Sequence, residues 1–408
     1  MHRRTLLQAS ATGFLATLAS RFAHADGAVR PTATATSIIL LWMNGGPSHL
    51  DTWDPKPGTV TGGPTKSIKT RQPGLDIAES MQQIADVADK LCVIRGVSSK
   101  EGNHQRAQYT NHTSYAPNPT VLHPSLGGWV SNKLAAPSNG LPAFVSLRSP
   151  SFGAGFLGPQ YGPFVVQKAG VPDNTRPQVD DARFERRLAL LDGMESRFGA
   201  QVGGHIVDDR RALYASAHKL MGSPALAAFD PTHETDATKQ AYGDNDFGRS
   251  VLVARNLVRA GVRFVEVTLD GWDTHQDNFS KVKAQLAQLD PAMGALIADL
   301  DASHTLDSTL VVCMGDFGRT PKINANEGRD HYPQAWTAVL AGGGSKPGLL
   351  GGTDATGEKV VGTPYSVPDL LATAAKTIGL VPSEETLTPA GRPIAITDRG
   401  VPIADALR

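Results

Sequence analysis

The chain has 408 residues, of which 40% are hydrophobic and 19% charged, an ordinary composition for a globular protein with a sizeable core. Lys+Arg and Asp+Glu both number 39, so the formal net charge is zero, and the balance predicts neither nucleic-acid binding nor attraction to an anionic membrane. The 42 glycines and 28 prolines predict many turns and argue against a helical bundle.

Residues 1–25 have the layout of a cleaved export signal. A short basic start is followed by an apolar middle and by the small-x-small ending Ala23-His24-Ala25. Arg3 and Arg4, followed by "TLLQ", resemble a twin-arginine signal, which carries folded proteins out of the cytoplasm. The apolar stretch is too short for stable membrane insertion. We therefore expect a periplasmic or secreted bacterial protein.

The mature chain alternates strand-like and helix-like segments. Continuous apolar runs bounded by glycine are typical of strands in a parallel sheet that is covered on both faces. Predicted strands are residues 37–43, 90–97, 141–147, 262–269, 308–316 and 336–343. Predicted helices are residues 77–89, 246–261, 279–302 and 367–380. This alternation predicts a three-layer α/β/α sandwich with a mostly parallel central sheet.

Residues 26–408 are interpreted as one domain that contains an insertion. The stretch at about 150–245 opens with Gly- and Pro-rich sequence, continues with charged helical sequence, and has no obvious central strand. Cys92 and Cys313 lie inside apolar strand-like runs, which favours two buried core cysteines; a disulfide between them is the alternative.

Polar side chains follow four of the predicted strands. In open parallel sheets, ligands bind beyond the carboxyl ends of the strands, so these loops are expected to converge on one site. The loops carry Asn44, Ser48, His49 and Asp51; Ser98, Ser99, Asn103, His104 and Arg106; Asp270, Asp273, His275 and Asp277; and Asp316, Arg319 and His331.

The loop "DGWDTHQDN" has the residues of a metal site. Asp270 at the strand end and His275 in the following turn can converge on one divalent ion. Oxygen and nitrogen ligands together suit zinc, manganese or iron more than calcium alone. Asp273 or Asp277 can instead cap the following helix, although capping does not account for the whole motif.

Four motifs resemble a known family. "GGPSHLDTWDPKP", "DGWDTH", "GDFGRTPK" and "GRDHYP", behind a twin-arginine signal, resemble an uncharacterised bacterial family of exported proteins within the alkaline phosphatase and sulfatase superfamily. The resemblance spans nearly the whole mature chain. It implies an alkaline phosphatase-like fold and activity on a phosphate or sulfate ester.

The resemblance also implies ligands for two metal sites. One site would take Asp270, His275 and His331. The other normally takes an aspartate after the first strand and an Asp-His pair after the penultimate strand, where this chain has Asn44 and Asp316-Phe317. The second site is therefore degraded, absent, or completed by residues such as His49 or Asp51.

The nucleophile is left open. The oxidisable Cys/Ser motif of sulfatases is missing, and the loop that carries the phosphatase nucleophile offers Ser98, Ser99, Asn103 or His104. His104 can bind metal, act as acid or base, or position an anion with Arg106 at a helix start, or it is a polar loop residue without a role. The candidate catalytic residues are His104, Arg106, Ser48 and Arg319.

Arg319 is expected either to stabilise an anionic ester or to pair with Asp316 or Asp330 as part of the framework. The first hypothesis for the function is an exported metal-dependent hydrolase or transferase acting on a small anionic ester. The second is a binding or assembly protein that keeps the fold and has lost catalysis.

Overall fold

The computed structural model describes residues 31–202 and 204–408. The export signal predicted for residues 1–25 lies outside the described residues. Within the described ranges, no helix combines the length and the apolar composition that a membrane crossing requires.

An eight-stranded sheet forms the centre of the protein. Its strand order is β12-β4-β11-β8-β1-β7-β5-β6, and all neighbouring pairs are parallel except the two that involve β11. Three further two-stranded ladders join β2 to β3, β9 to β10 and β13 to β14. In chain order the strands are β1 Ser37–Met43, β2 Ser67–Lys69, β3 Asp76–Ala78, β4 Leu91–Val97, β5 Phe144–Leu147, β6 Phe164–Val166, β7 Phe264–Leu269, β8 Thr309–Gly315, β9 Gly318–Arg319, β10 His331–Tyr332, β11 Trp336–Ala341, β12 Gly348–Leu350, β13 Glu385–Leu387 and β14 Pro393–Ala395.

Helices cover both faces of this sheet. The described helices are α1 Gln82–Asp86, α2 His104–Thr113, α3 Leu126–Lys133, α4 Asp181–Val202, α5 Gly204–Met221, α6 Asp236–Ala241, α7 Asp246–Arg259, α8 Asn278–Ala302 and α9 Val367–Thr377. Helices α1, α7 and α8 pack into one apolar cluster, and α3 and α9 pack into the other. The predicted α/β/α sandwich with a mostly parallel sheet is therefore confirmed.

Strand β1 shows why the sequence forms this sheet. Every residue of "SIILLWM" is buried. Because successive side chains of a strand point to opposite faces, Ile39 and Leu41 join one apolar cluster while Ile38 and Leu40 join the other. A strand with two buried faces reads as a continuous apolar run, which is how the sequence identified it.

The six predicted strands correspond to β1, β4, β5, β7, β8 and β11. Three of the predicted helices correspond to α7, α8 and α9. The helix predicted over 77–89 is wrong at its beginning, because Asp76–Ala78 pairs with Ser67–Lys69 as a two-stranded ladder and the helix is confined to Gln82–Asp86. Pairing with the nearby strand Ser67–Lys69 therefore determines the structure of residues 76–78, although the sequence pattern there is helical.

The stretch at 150–245 supplies one strand and several helices. Phe164–Val166 is the edge strand of the sheet, next to β5. Helices α4 and α5 contact each other, and α6 follows them.

Cys92 and Cys313 are buried and form no disulfide. Cys92 lies in the apolar cluster on one face of the sheet and Cys313 in the cluster on the opposite face. The sheet therefore separates the two thiols, and the prediction of two core cysteines is confirmed.

Candidate metal centre

The carboxyl ends of the central strands bring the polar loops together. Asn44 follows β1, and Asp316 follows the adjacent β8. The segment after β7 carries Asp270, Asp273 and His275, which approach the other loops from the opposite side of β1. Two short elements complete the group: helix α2 begins at His104, and strand β10 begins at His331.

Asp273 lies at the middle of this group. Its Oδ1 atom is 3.1 Å from His275 Nε2, 3.4 Å from His104 Nε2 and 3.4 Å from His331 Nε2. The Nε2 atoms of His275 and His331 are themselves 2.9 Å apart. Three imidazoles therefore direct the same ring nitrogen towards one carboxylate oxygen.

The other nitrogen of each imidazole has a fixed partner. His104 Nδ1 is 2.6 Å from Asp316 Oδ2, and His275 Nδ1 is 2.7 Å from Asp330 Oδ1. His331 Nδ1 is 2.7 Å from the carbonyl oxygen of Gly102. Carboxylates and carbonyls accept hydrogen bonds, so each Nδ1 carries a proton and donates it. In the neutral rings, each Nε2 then presents a lone pair to the middle of the group.

These residues fit a divalent ion. The ligand atoms of His104, Asp273 and His331 all lie within 4.8 Å of one another, and His275 adds a fourth nearby donor. His104 Nε2 is buried and has no hydrogen-bond partner. A carboxylate or carbonyl on the distal nitrogen is the usual arrangement for histidines that bind metal. Three nitrogens and one oxygen are a donor set that zinc accepts.

The charges around the group shift the pKa values in different directions. The hydrogen bond to Asp316 raises the pKa of His104, although partial burial opposes it. Burial lowers the pKa of His331. Burial alone would raise the pKa of Asp273, but the hydrogen bond and charge of Arg319 outweigh it and hold that pKa below its usual value. The hydrogen bond from His275 lowers the pKa of Asp330.

Arg319 is completely buried beneath Asp273. Its Nη2 donates to Asp273 Oδ1 at 2.7 Å and also to the carbonyl of Gly45. Its Nε donates to the carbonyl of Gly46 at 2.9 Å, and its Nη1 to the carbonyl of Arg329 at 3.2 Å. The guanidinium therefore fixes Asp273 and the loop after β1, and it presents no surface to solvent.

The Gly45-Gly46 turn has to approach its neighbours closely. Both glycines have positive φ, 109° and 80°. A Cβ atom on Gly46 would lie 2.5 Å from the carbonyl oxygen of Phe317, and one on Gly45 would lie 2.5 Å from the backbone nitrogen of Asp273. Only glycine tolerates this combination, and it lets both carbonyls reach Arg319.

A hydrogen-bonded chain runs beside the histidine group. Asn44 Nδ2 donates to Asp270 Oδ1 at 2.7 Å. Gln108 Nε2 donates to Asn44 Oδ1 at 2.7 Å and to Asp316 Oδ2 at 3.1 Å. Asp270, predicted as a ligand of the first site, thus contacts Asn44, while Asp273 faces the imidazoles.

Ser48, His49 and Asp51 have partners in a different, buried part of the structure. Ser48 Oγ donates to Asp51 Oδ2 at 2.6 Å, and the same oxygen accepts from Arg329 Nε at 2.6 Å. His49 Nε2 lies 2.9 Å from the carbonyl oxygen of Gly357. These contacts join the loop after β1 to later segments and leave Asp51 fully engaged.

Arg106 is exposed and pairs with Glu101 through two hydrogen bonds of 2.7 Å. It therefore points to a neighbouring loop. Sequence reasoning missed Gln108, although the signal was present: Gln108 follows His104 by four residues, one turn along the same helix face. It also named Asp330 only as a partner for Arg319, whereas Asp330 contacts His275.

Several solved structures are similar to this chain at low identity. One is the lipoteichoic acid synthase LtaP from Listeria monocytogenes, with 11% identity over 92% of this chain and 79% of that chain and a TM-score of 0.40. Another is the PsFucS1 sulfatase from Pseudoalteromonas sp., with 12% identity over 88% of this chain and 70% of that chain and a TM-score of 0.40. A third is alkaline phosphatase from the Antarctic bacterium TAB5, with 14% identity over 76% of this chain and 93% of that chain and a TM-score of 0.31.

No curated protein matches the sequence. One family model does match, over residues 35–407, and it is described as "Protein of unknown function (DUF1501)". The match covers the histidine group, the amide chain beside it and all fourteen strands of the described structure. The chain therefore belongs to the DUF1501 family.

Proposed function

We propose that this protein is an exported, metal-dependent hydrolase that cleaves a phosphate or sulfate ester, with zinc as its ion and manganese, iron or calcium as alternatives. One observation carries the proposal: the three Nε2 lone pairs of His104, His275 and His331 meet at Asp273 Oδ1, while an acceptor holds each Nδ1 proton. Lone pairs that face each other across 2.9 Å repel unless a proton or a cation lies between them.

The ion would be held by His104, His275, His331 and Asp273. A divalent ion bound there supplies a Lewis acid for the ester oxygen. Asp316 and Asp330 keep the tautomer in which the imidazoles ligate through Nε2. Arg319 keeps Asp273 ionised and oriented. With Nδ1 donating to Asp316 and Nε2 on the ion, His104 would act as a ligand and would have no ring nitrogen left to exchange a proton with the ester.

The charge of the group supports a requirement for metal. The group has four carboxylates, and Arg319 contacts one of them, Asp273. With neutral imidazoles and Arg319 counted, three negative charges are in excess; the other carboxylates are those of Asp270, Asp316 and Asp330. An anionic ester would be repelled by this group. A divalent ion removes most of the excess, and this couples substrate binding to metal binding.

The test is metal content and ester hydrolysis measured on one preparation. We expect the folded protein to retain a transition metal after desalting and to hydrolyse at least one of 4-nitrophenyl phosphate, bis(4-nitrophenyl) phosphate and 4-nitrophenyl sulfate. His275→Ala should lose both the metal and at least about 100-fold of the rate. His233→Ala is the matched control, because His233 is exposed and pairs with Asp230 in the adjacent turn.

A folded protein that takes up no metal would overturn the proposal, as would a hydrolytic rate that His275→Ala leaves unchanged. Metal binding without turnover of any ester would instead support the second candidate, a binding or assembly protein. Two observations favour that candidate. The hydroxyl of Ser48 donates to the buried Asp51 and is not directed at a substrate, and Arg319 is buried and has no exposed donor for an anionic substrate.

Export is the remaining part of the proposal and is tested separately. Residues 1–25 carry Arg3-Arg4 and end at Ala25. We expect a bacterial host to release a mature chain that begins at Asp26 into the periplasm or medium. Replacing both arginines by lysine should retain the precursor in the cytoplasm; unchanged export of that variant would contradict a twin-arginine route.

A further inference from the structure

We infer that this centre holds a single divalent ion. The space beside it is occupied by a hydrogen-bonded chain, Asp270–Asn44–Gln108–Asp316, in which two side-chain amides stand where carboxylates could otherwise bind a second ion. The inference rests on the proposed metal centre. It concerns how many ions the residues accept, so its test does not depend on finding the natural substrate.

The orientation of both amides is fixed by their partners. Asp270 is an acceptor, so the Nδ2 group of Asn44 faces it. Trp42 Nε1 can only donate, and it points at Asn44 Oδ1 from 3.4 Å. Gln108 Nε2 lies between two acceptors, Asn44 Oδ1 and Asp316 Oδ2. Flipping either amide would place like groups against each other at these contacts.

This orientation is unsuitable for a cation. The N–H group of Asn44 points at the carboxylate that a cation would need, and the oxygens of Asn44 and Asp316 that face inward already accept from Gln108. A cation bound between Asp270 and Asp316 would have to break these hydrogen bonds, two of which are strengthened by the charge of a carboxylate. Asp316 Oδ1, which is buried without a partner, is one oxygen, whereas hard divalent cations take about six ligands.

The arrangement of the three imidazoles also indicates one bound ion. All three Nε2 atoms of the group are within 3.4 Å of one atom, Asp273 Oδ1. One ion at their centre uses all four donors, which is the coordination number zinc prefers. The opposite ring nitrogens are occupied by Asp316, Asp330 and Gly102. No imidazole of the group is left for a second ion.

The first experiment counts ions. The mature full-length chain is stripped with a chelator, titrated with Zn²⁺ by calorimetry, desalted and analysed for metal by mass spectrometry. We expect one tightly bound equivalent, lost in His331→Ala. Two tight equivalents would overturn the inference and leave the proposed hydrolase standing. No bound metal would overturn both.

The second experiment tries to create the missing site. Asn44→Asp removes the N–H group that faces Asp270 and puts a carboxylate in its place. We expect this variant to bind a second equivalent of Zn²⁺ or Mn²⁺, and its melting temperature to rise with added metal beyond the rise seen in wild type. Gln108→Glu, which adds a carboxylate at the other amide, serves if Asn44→Asp does not fold.

Asn118→Asp is the matched control. Asn118 is exposed, and its Oδ1 accepts from the backbone and hydroxyl of Thr120, so aspartate preserves these hydrogen bonds and adds the same charge elsewhere. It should bind one equivalent, like wild type. If the folded Asn44→Asp and Gln108→Glu variants also bind only one, the amides do not exclude a second ion and the inference is wrong.

Discussion

His275 and His331 place their Nε2 atoms 2.9 Å apart, while Asp330 and the carbonyl of Gly102 accept from their Nδ1 atoms at 2.7 Å each. Because each ring can carry its proton on Nδ1, the facing nitrogens are both free to act as acceptors. A proton can bridge only two of these acceptor atoms, whereas a cation can bind several. Since His104 Nε2 and Asp273 Oδ1 approach the same point, a shared cation accounts for the arrangement better. The contacts on the far side of each ring are therefore as informative as the donors themselves.

We predict that Asp330→Asn weakens metal binding without changing the donors. An amide accepts the His275 Nδ1 proton more weakly than a carboxylate does. Nε2 therefore becomes less basic, and the ring is held less firmly in its orientation. Loss of such a partner typically lowers metal affinity about 10–100-fold. Competition with a chromophoric chelator measures the change. Asp307→Asn, at an exposed pair with Arg408, is the control and should leave the affinity as in wild type.

We predict that Gly328→Ala disrupts the centre without touching a ligand. A Cβ atom on Gly328 would lie 1.8 Å from the carbonyl oxygen of His275, so either the segment that carries His275 or the one that leads from Gly328 to His331 has to move. A displacement of this size separates His275 from His331 and should reduce metal affinity by at least about 10-fold. Calorimetric titration with Zn²⁺ measures it.

Gly352→Ala is the control for this substitution, because a Cβ atom there meets no heavy atom within 4 Å. If Gly328→Ala binds metal as tightly as Gly352→Ala, the position of His275 is not what determines affinity, and the four-donor centre would be contradicted.

The sequence predicted six of the eight strands of the central sheet and missed β6 and β12. A nearly continuous apolar run bounded by glycine, such as "SIILLWM", favours a strand buried on both faces. Because parallel strands end at one edge, the polar loops after β1, β4, β7 and β8 had to meet there. His104, His275 and His331 were all identified as candidates on this basis, and the structure brings them together.

The choice between Asp270 and Asp273 was beyond the sequence. Both follow β7 within four residues, and Gly271, with φ of 101°, lies between them. The positive φ turns the chain, so that Asp270 faces Asn44 and Asp273 faces the imidazoles. Local spacing does not encode which carboxylate reaches which neighbour, because Asn44 and Arg319 come from distant parts of the chain.

We predict that both thiols are unreactive in the folded protein. Burial raises the pKa of Cys92 and of Cys313 to about 12, so at pH 8 only about one ten-thousandth of each thiol is ionised. A disulfide reagent such as 5,5′-dithiobis(2-nitrobenzoate) should release little chromophore from the native protein and about two equivalents after denaturation with guanidinium chloride. Rapid native labelling, or fewer than two thiols in the denatured chain, would contradict this prediction.

The buried ion pair between His112 and Glu266 predicts how the stability of the protein depends on pH. His112 Nε2 lies 3.2 Å from Glu266 Oε1, and His112 Nδ1 lies 2.7 Å from the carbonyl oxygen of Gln108. Both partners are acceptors, so the ring donates from both nitrogens and is charged. Burial by itself lowers the pKa of His112, but the charge and hydrogen bond of Glu266, with the Gln108 carbonyl, raise it above its usual value.

Because the folded-state pKa of His112 is raised, the pair contributes its full stability below the unfolded pKa of about 6.5 and loses it as the pH rises through the folded pKa. Glu266→Gln should therefore lower the free energy of unfolding most at pH 6, by about 3–5 kcal/mol, and progressively less towards pH 9. Urea denaturation of wild type and variant across this range measures the difference. Glu101→Gln, which removes the surface pair with Arg106, should have a much smaller effect on the free energy of unfolding at either pH. A Glu266→Gln deficit that stays constant from pH 6 to 9 would mean that His112 is neutral in the folded protein.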